Sequence, residues 1–153
     1  MNDQNMHKIL ENTIIIVSGL PRSGTSMMMQ VLEAGGLEIL SDHKRQADHS
    51  NPKGYYELDA IKRLDKDNSI IREARGKVVK VISHLLKHLP MEFNYKIIFM
   101  NRNMEEIMRS QQKMLGEEEN GYPPEMIEIF NKELNNVELW MDENENIEVL
   151  KVN

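Results

Sequence analysis

Short runs of β-branched residues alternate along this chain with segments whose apolar residues recur every three or four positions. The short runs predict buried parallel strands at residues 13–18, 77–82, 95–100 and 147–152. The longer spacing predicts helices at residues 24–34, 57–75, 104–115 and 124–141, with a break near 68 and a short helical turn at 83–89. This alternation favours an α/β fold of three layers, with a mainly parallel central sheet flanked by helices.

Length and charge limit what such a fold can do. The chain has 153 residues, which we interpret as a single domain with a polar N-terminal tail at 1–12. Its net charge of −6 argues against nucleic-acid and membrane partners, which need a basic face. The absence of cysteine excludes disulfides, zinc–thiolate sites and cysteine nucleophiles. With neither an apolar leader nor a run that could span a bilayer, we expect a soluble, cytoplasmic protein.

The first predicted strand leads into the segment Gly-Leu-Pro-Arg-Ser-Gly-Thr-Ser, residues 19–26. Two glycines five positions apart, with hydroxyl residues at a helix start, are typical of a phosphate-binding loop. Glycine lets the backbone wrap around an anion, and the helix N-terminus attracts it. Loops that bind nucleoside triphosphates carry a lysine where this chain has Thr25. The cation here is Arg22, three positions earlier, so the pattern predicts a phosphate site but argues against an ATPase or GTPase.

The order Pro-Arg-Ser-Gly-Thr-Ser after a buried strand resembles the donor loop of PAPS-dependent sulfotransferases. The resemblance implies a P-loop-type fold and 3′-phosphoadenosine 5′-phosphosulfate (PAPS) as the sulfuryl donor. It also implies that Arg22 neutralises the leaving phosphate as the sulfuryl group departs. The residues that would hydrogen-bond to the phosphosulfate are Ser23, Gly24, Thr25 and Ser26.

A second segment tests this resemblance, because PAPS carries a 3′-phosphate that needs its own site. The family binds it with an arginine directly after a strand and a serine eight positions later. This chain has Arg102 after the strand 95–100, and Ser110 follows eight positions on. Alone, the pair could be a capping segment with solvent-facing side chains. Together with the loop, the resemblance implies that Arg102 and Ser110 bind the 3′-phosphate.

The resemblance covers about residues 13–115 and is most similar to bacterial members, through the segment Asn-Pro-Lys-Gly-Tyr-Tyr-Glu at 51–57. Family members continue beyond a strand that matches 147–152, with helices and a basic loop that covers the nucleotide. We therefore expect the C-terminal part of the family fold to be missing from these 153 residues. PAPS binding is accordingly better supported than catalysis.

Sulfuryl transfer needs a base that takes the acceptor's proton, and the family uses histidine or glutamate. Its histidine lies two positions after a strand-end lysine, but that position after Lys80 is Ile82 here. We therefore favour Glu57 as the catalytic base, with His84 as the alternative. A helix-start carboxylate and a surface histidine are the plain interpretations of these two residues. Lys53 and Lys80 could assist the donor phosphates or could be ordinary solvated lysines.

The polar stretch 41–56, which predicts a surface loop, contains four side chains of types that bind metals. They are Asp42, His43, Asp48 and His49. Their spacing matches no known pattern of metal ligands, so we expect no metal.

Three functions stay open from the sequence. The first is transfer of a sulfuryl group from PAPS to a hydroxyl or amine of a small-molecule or glycan acceptor. The second is a non-catalytic or truncated nucleotide-binding domain, and the third is a P-loop nucleotide kinase, against which Thr25 argues. A homo-oligomer is also left open.

Overall fold

The computed structural model describes residues 11–42, 56–116 and 123–153. Within these ranges the strands are β1 (Thr13–Gly19), β2 (Val78–Lys80), β3 (Asn94–Met100) and β4 (Ile147–Val152). The α-helices are α1 (Thr25–Ala34), α2 (Met104–Leu115) and α3 (Pro124–Glu143). Shorter 3₁₀ helices span Asp59–Arg63, Ser69–Ala74 and Ser83–His88. None of the helices in these ranges is long and apolar enough to cross a bilayer.

The four strands are all parallel and form a sheet in the order β2-β1-β3-β4. β1 is an inner strand, and its Ile16 lies opposite Val79 of β2 and Ile97 of β3. A strand that is covered on both faces has no side for polar residues, which explains the β-branched run of β1. β2 is shorter than the predicted strand at 77–82, while the other three strands match their predictions within a residue.

Helices pack on both faces of the sheet, which confirms the predicted three-layer α/β fold. Ile16 of β1 belongs to the core cluster that contains Val137 and Met141 of α3. The next residue, Val17, belongs to a second cluster with Met29 of α1. Successive side chains of a strand point to opposite faces, so α1 and α3 cover opposite sides of β1.

The helix predicted at 57–75 is shorter than expected and is not an α-helix, while the break near 68 is confirmed. The structure forms two 3₁₀ helices there instead. Between them, the carboxylate of Asp67 accepts a hydrogen bond from the N–H of Ser69 at 3.0 Å. The side-chain amide of Asn68 donates to the carbonyl oxygen of His88 at 3.1 Å. Because short polar side chains compete for backbone groups in this way, they disfavour a continuous helix.

The strand order places the loops that follow β1 and β3 side by side at the carboxyl ends of the strands. The chain passes from β1 to β2 on one side and then returns past β1 to β3 on the other. Parallel sheets leave a crevice at the carboxyl ends of strands where the order reverses in this way. Gly19 at the end of β1 lies opposite Met100 at the end of β3. The predicted phosphate loop and the Arg102 segment therefore start next to each other.

Candidate functional site

The loop at residues 19–26, here called the phosphate loop, is held in shape by its own hydrogen bonds. The N–H and the hydroxyl of Ser23 both donate to the carbonyl oxygen of Leu20, at 3.2 and 2.6 Å. Ser23 is buried. The resemblance implies a hydrogen bond from Ser23 to the phosphosulfate, whereas in this structure its hydroxyl and N–H stabilise the turn.

Gly19 is required where the phosphate loop leaves the sheet. A Cβ at this position would lie 2.4 Å from Oγ of Ser23 and 2.9 Å from the carbonyl oxygen of Met100. Neither contact is tolerable for a carbon atom, so only glycine lets the loop pack against the end of β3. Gly24 has a φ of 100° directly before α1, a conformation that glycine adopts at little cost.

Arg22 connects the two predicted motifs. Its backbone has a φ of 66°, a left-handed conformation that is uncommon for a residue with a side chain. Nε of Arg22 donates to Oγ of Ser110 at 2.9 Å, and Nη1 of Arg102 donates to the carbonyl oxygen of Arg22 at 2.9 Å. These partners lie 88 and 80 positions away along the chain. The fold thus brings together three of the residues that the sequence singles out.

The start of α2 orients Arg102. The side chain of Asn103 caps this helix, accepting hydrogen bonds from the N–H groups of Glu105 and Glu106 at 2.9 and 3.3 Å. Nε of Arg102 also lies 3.3 Å from a carboxylate oxygen of Glu106, and 39% of the arginine side chain is exposed. Exposed ion pairs of this kind are weak, so an incoming phosphate can compete for the Arg102 guanidinium.

A cleft of about 410 Å³ lies between the phosphate loop and the Arg102 segment, and is called the cleft below. The start of α1 lines it through Gly24, Thr25 and Ser26. The charged residues of its lining are Arg22, Glu57, Lys80 and Arg102. Three cations and one carboxylate give this cleft a positive excess in a chain whose net charge is −6. Such a local excess, beside a helix N-terminus, suits a small anionic ligand.

Lys80 and Glu57 approach the phosphate loop from a different part of the chain. Lys80 ends β2, and its Nζ donates to Oγ of Ser26 at 3.2 Å. The same Nζ lies 4.0 Å from one carboxylate oxygen of Glu57, whose other oxygen is 3.8 Å from Nζ of Lys62. Only 10% of the Lys80 side chain and 21% of the Glu57 side chain are exposed. The two residues therefore sit against the loop rather than in bulk water.

The backbone around Glu57 is fixed by Asp42. The N–H of Asp42 donates to the carbonyl oxygen of Glu57 at 3.1 Å, and the Asp42 carboxylate accepts from the N–H of Asp59 at 2.7 Å. Glu57 precedes the first 3₁₀ helix, so it is not at the start of the helix that the sequence predicts. Beside it, burial and the nearby Glu33 carboxylate raise the pKa of the Tyr56 phenol, which stays protonated at neutral pH.

His84, the alternative candidate for the base, lies outside the cleft. It lines a space of about 650 Å³ between the 3₁₀ helix Ser83–His88 and α3, called the second cavity below. The hydroxyl of the buried Ser83 donates to a carboxylate oxygen of Glu133 at 2.7 Å, and Nδ1 of His84 is 4.0 Å from the other oxygen. Trp140 and Val137 of α3 form part of its wall. His84 is not part of the lining of the cleft.

Several candidates of the sequence cannot be placed. His43, Asp48, His49 and Lys53 lie outside the described residues. Within the described ranges, no three histidine, aspartate or glutamate side chains are grouped so that they could hold a metal ion.

The structure assigns two residues of the cleft a larger role than the sequence predicts for them. Lys80 is predicted only as a possible aid to the donor phosphates, yet it contacts the phosphate loop directly. Gln111, which the sequence does not single out, also lines the cleft. Its buried Oε1 is one of the side-chain atoms without a hydrogen-bond partner in the described part of the chain. A ligand that carries N–H or O–H groups, such as an adenosine, could satisfy it.

Comparisons with known proteins found no matching family model, no matching curated protein and no matching solved structure. The function is therefore argued from the geometry of the cleft.

Proposed function

We propose that this chain binds PAPS in the cleft and transfers its sulfuryl group to a hydroxyl or amine of an acceptor. The observation that carries the proposal is the contact of Arg22 with both Ser110 and Arg102 across the carboxyl ends of β1 and β3. PAPS has anionic groups at the 5′ and 3′ positions of one ribose, so it needs two anion sites a short distance apart. The two motifs each supply one arginine to the lining of the same cleft, Arg22 and Arg102, which supports this assignment.

The phosphate loop and the start of α1 suit the phosphosulfate end of the donor. The N–H groups of the first helical turn have no carbonyl partner within the helix, and they attract anions together with the helix dipole. Ser26 lines the cleft there, with Lys80 at hydrogen-bond distance. Arg22, which lies on the phosphate loop itself, is a second cation beside this end of the cleft. Charge-assisted hydrogen bonds from these groups are stronger than neutral ones.

Arg102 and Ser110 suit the 3′-phosphate. In the structure their polar groups contact Arg22. A 3′-phosphate could accept hydrogen bonds from the guanidinium of Arg102 and the hydroxyl of Ser110 in place of these contacts. A donor without a 3′-phosphate would gain nothing from Arg102, which makes this residue the test of donor identity.

Glu57 is the proposed base. It lines the cleft next to Lys80, whereas His84 faces the second cavity. In the reaction the acceptor atom forms a bond to sulfur while the bond between sulfur and the 5′-phosphate oxygen breaks. The acceptor's proton passes to the Glu57 carboxylate, and Arg22 and Lys80 stabilise the charge that develops on the leaving phosphate. The products are the sulfated acceptor and adenosine 3′,5′-bisphosphate.

A nucleotide kinase is the second candidate, because Lys80 could supply the cation that Thr25 does not. Its Nζ donates to Oγ of Ser26, and Ser26 follows Thr25, which stands at the position of the lysine in triphosphate-binding loops. This function would require binding of ATP with Mg²⁺ and would leave Arg102 without a ligand to contact.

A titration separates these functions. The purified chain is titrated by calorimetry with adenosine 3′,5′-bisphosphate and, in parallel, with ATP and Mg²⁺. We expect saturable binding of the bisphosphate and no binding of ATP. Binding of ATP but not of the bisphosphate would favour the kinase, and binding of neither would contradict a nucleotide site in this chain. Release of bisphosphate from PAPS with an acceptor present then distinguishes an enzyme from a binding-only domain.

A further inference from the structure

A small apolar space adjoins the cleft and is called the apolar pocket here. It measures about 170 Å³. Its walls are the aliphatic side chains Leu58, Ile61, Ile82 and Leu85. Glu57, Lys80 and Ile82 line both this pocket and the cleft, so the two spaces adjoin at these three residues.

The walls of the apolar pocket belong to the core rather than to a loose surface. Ile61 and Leu85 are buried members of the main core cluster, and Leu58 and Ile82 pack against it. Leu58 and Ile61 are held by the 3₁₀ turn at Asp59–Arg63, and Leu85 by the turn at Ser83–His88. A pocket with such walls is largely preformed, as small-molecule sites usually are.

We propose that the apolar pocket is the acceptor subsite, and that it takes a small acceptor with an apolar body and one nucleophilic hydroxyl, such as a one-ring phenol. The inference rests on the proposed function, and it specifies the acceptor class that the function leaves open. A cavity of about 150 Å³ lined by aliphatic and aromatic side chains holds one benzene molecule. The apolar pocket is of similar volume, and four of its seven lining residues are aliphatic.

The lining also discriminates against sugars. Each hydroxyl of a sugar ring that enters an aliphatic pocket loses its hydrogen bonds to water without replacement, which is unfavourable. The charged residues of the apolar pocket are Glu57, Lys62 and Lys80, and Glu57 and Lys80 also line the cleft. One hydroxyl can thus meet charged groups, while the rest of the molecule contacts leucine and isoleucine.

This placement orients the acceptor for transfer. With its ring in the apolar pocket, the phenol oxygen lies at the junction of the two spaces, beside Glu57. The oxygen forms a bond to the sulfur of PAPS, its proton passes to the Glu57 carboxylate, and adenosine 3′,5′-bisphosphate leaves. Holding both reactants in one geometry removes much of the entropic barrier of a two-substrate reaction.

The test uses 4-methylphenol as the probe, with methyl glucoside as a polar compound of one ring. Binding of each is measured by calorimetry to the chain saturated with adenosine 3′,5′-bisphosphate. Leu58→Gln introduces an amide into the apolar pocket, and Leu58→Phe reduces its volume while keeping it apolar. The matched control is Leu139→Gln, because Leu139 lies on α3 with 60% of its surface exposed. Bisphosphate affinity of each variant reports that the cleft is intact.

We expect 4-methylphenol to bind and methyl glucoside not to bind. Leu58→Gln and Leu58→Phe should each weaken binding of the phenol about tenfold or more, since an unpaired amide or a lost volume opposes the ring. Leu139→Gln should change nothing. Two results would overturn the acceptor proposal while leaving the donor site in place. In the first, the bisphosphate binds but the phenol does not. In the second, both Leu58 variants bind the phenol as well as the unmodified chain does. If the bisphosphate fails to bind, the proposed function fails. If the phenol then still binds the free chain, and binds the Leu58 variants less well, that result identifies a ligand pocket unconnected with transfer, and it also overturns the acceptor assignment.

Discussion

The cleft and the second cavity lie on either side of the same short stretch of chain, yet they differ in how their polar groups are arranged. Lys80, at the end of β2, faces the cleft. His84, four positions later, lines the second cavity. In the cleft, charged groups from several separate segments line one shared space. In the second cavity, the buried Ser83 hydroxyl is bonded to the Glu133 carboxylate across the contact between a 3₁₀ helix and α3.

This difference indicates that the cleft, rather than the second cavity, is the site for an anionic ligand. The Ser83–Glu133 bond joins two packed elements, which is the usual role of a buried polar pair. The cleft instead has three cations and one carboxylate beside a helix N-terminus, and a buried Gln111 oxygen without a partner among the described residues. The Gln111 oxygen is thus a group to which a ligand in the cleft can donate a hydrogen bond.

The largest effect concerns the base, for which each of the two spaces offers a candidate. Glu57→Gln keeps the shape of the side chain but removes its ability to accept a proton. We expect it to lower the rate of transfer to 4-methylphenol by about 10²- to 10⁴-fold, the range for loss of a general base. His84→Ala should leave the rate within about twofold, because this side chain lines the second cavity. The measurement is initial rate at saturating PAPS. A large loss of rate in His84→Ala and none in Glu57→Gln would identify His84 as the base instead.

The next effect concerns Arg22, whose charge is needed most as the leaving phosphate forms. Arg22→Ala should lower the transfer rate about 10²- to 10³-fold, the range found when one group that stabilises transition-state charge is removed. It should weaken bisphosphate binding much less. Rate and affinity are measured on the same preparation, with Arg22→Lys as the charge-conserving control. Equal losses of rate and affinity would indicate that Arg22 only binds the donor.

A smaller effect is expected for the 3′-phosphate site. Arg102→Ala should weaken adenosine 3′,5′-bisphosphate about tenfold or more, the range for a lost charge-assisted hydrogen bond. Adenosine 5′-phosphate, which lacks the 3′-phosphate, should bind this variant as it binds the unmodified chain. Arg72→Ala is the matched control, because Arg72 is an exposed arginine that pairs with Glu92 at 3.1 Å. If both nucleotides weakened equally, Arg102 would not be a 3′-phosphate residue.

The smallest effect compares two buried serines, one in each region. Ser23 donates to Leu20 in the phosphate loop, and Ser83 donates to Glu133 in the second cavity, at 2.6 and 2.7 Å. Each change to alanine should lower the free energy of unfolding by about 1 kcal/mol, measured by urea denaturation. Only Ser23→Ala should also weaken bisphosphate binding, by several-fold, because the phosphate loop loses its shape. A nucleotide effect of Ser83→Ala would contradict the separation of the two regions.

Much of the fold was predictable because its strongest elements have one-dimensional signatures. β1 is covered on both faces, which favours its apolar run at residues 14–17, and α3 presents apolar residues at helical spacing. The segment 57–75 has an apolar spacing that also resembles a helix, but Asp67 and Asn68 hydrogen-bond to Ser69 and His88 instead. Such bonds depend on which partner comes near in space. Periodicity alone could not predict them.

The candidate site divides in the same way. The sequence by itself predicted the turn at residues 19–24 between a strand and a helix, because its glycines and proline suit a tight turn, and the resemblance to sulfotransferases singled out Arg102 and Ser110. Only the tertiary structure decided that Arg22 contacts both, that Lys80 reaches Ser26, and that Glu57 rather than His84 lines the cleft. The reason is physical. A loop's conformation depends on neighbouring residues, whereas the meeting of residues 80 positions apart depends on the order in which the strands pair.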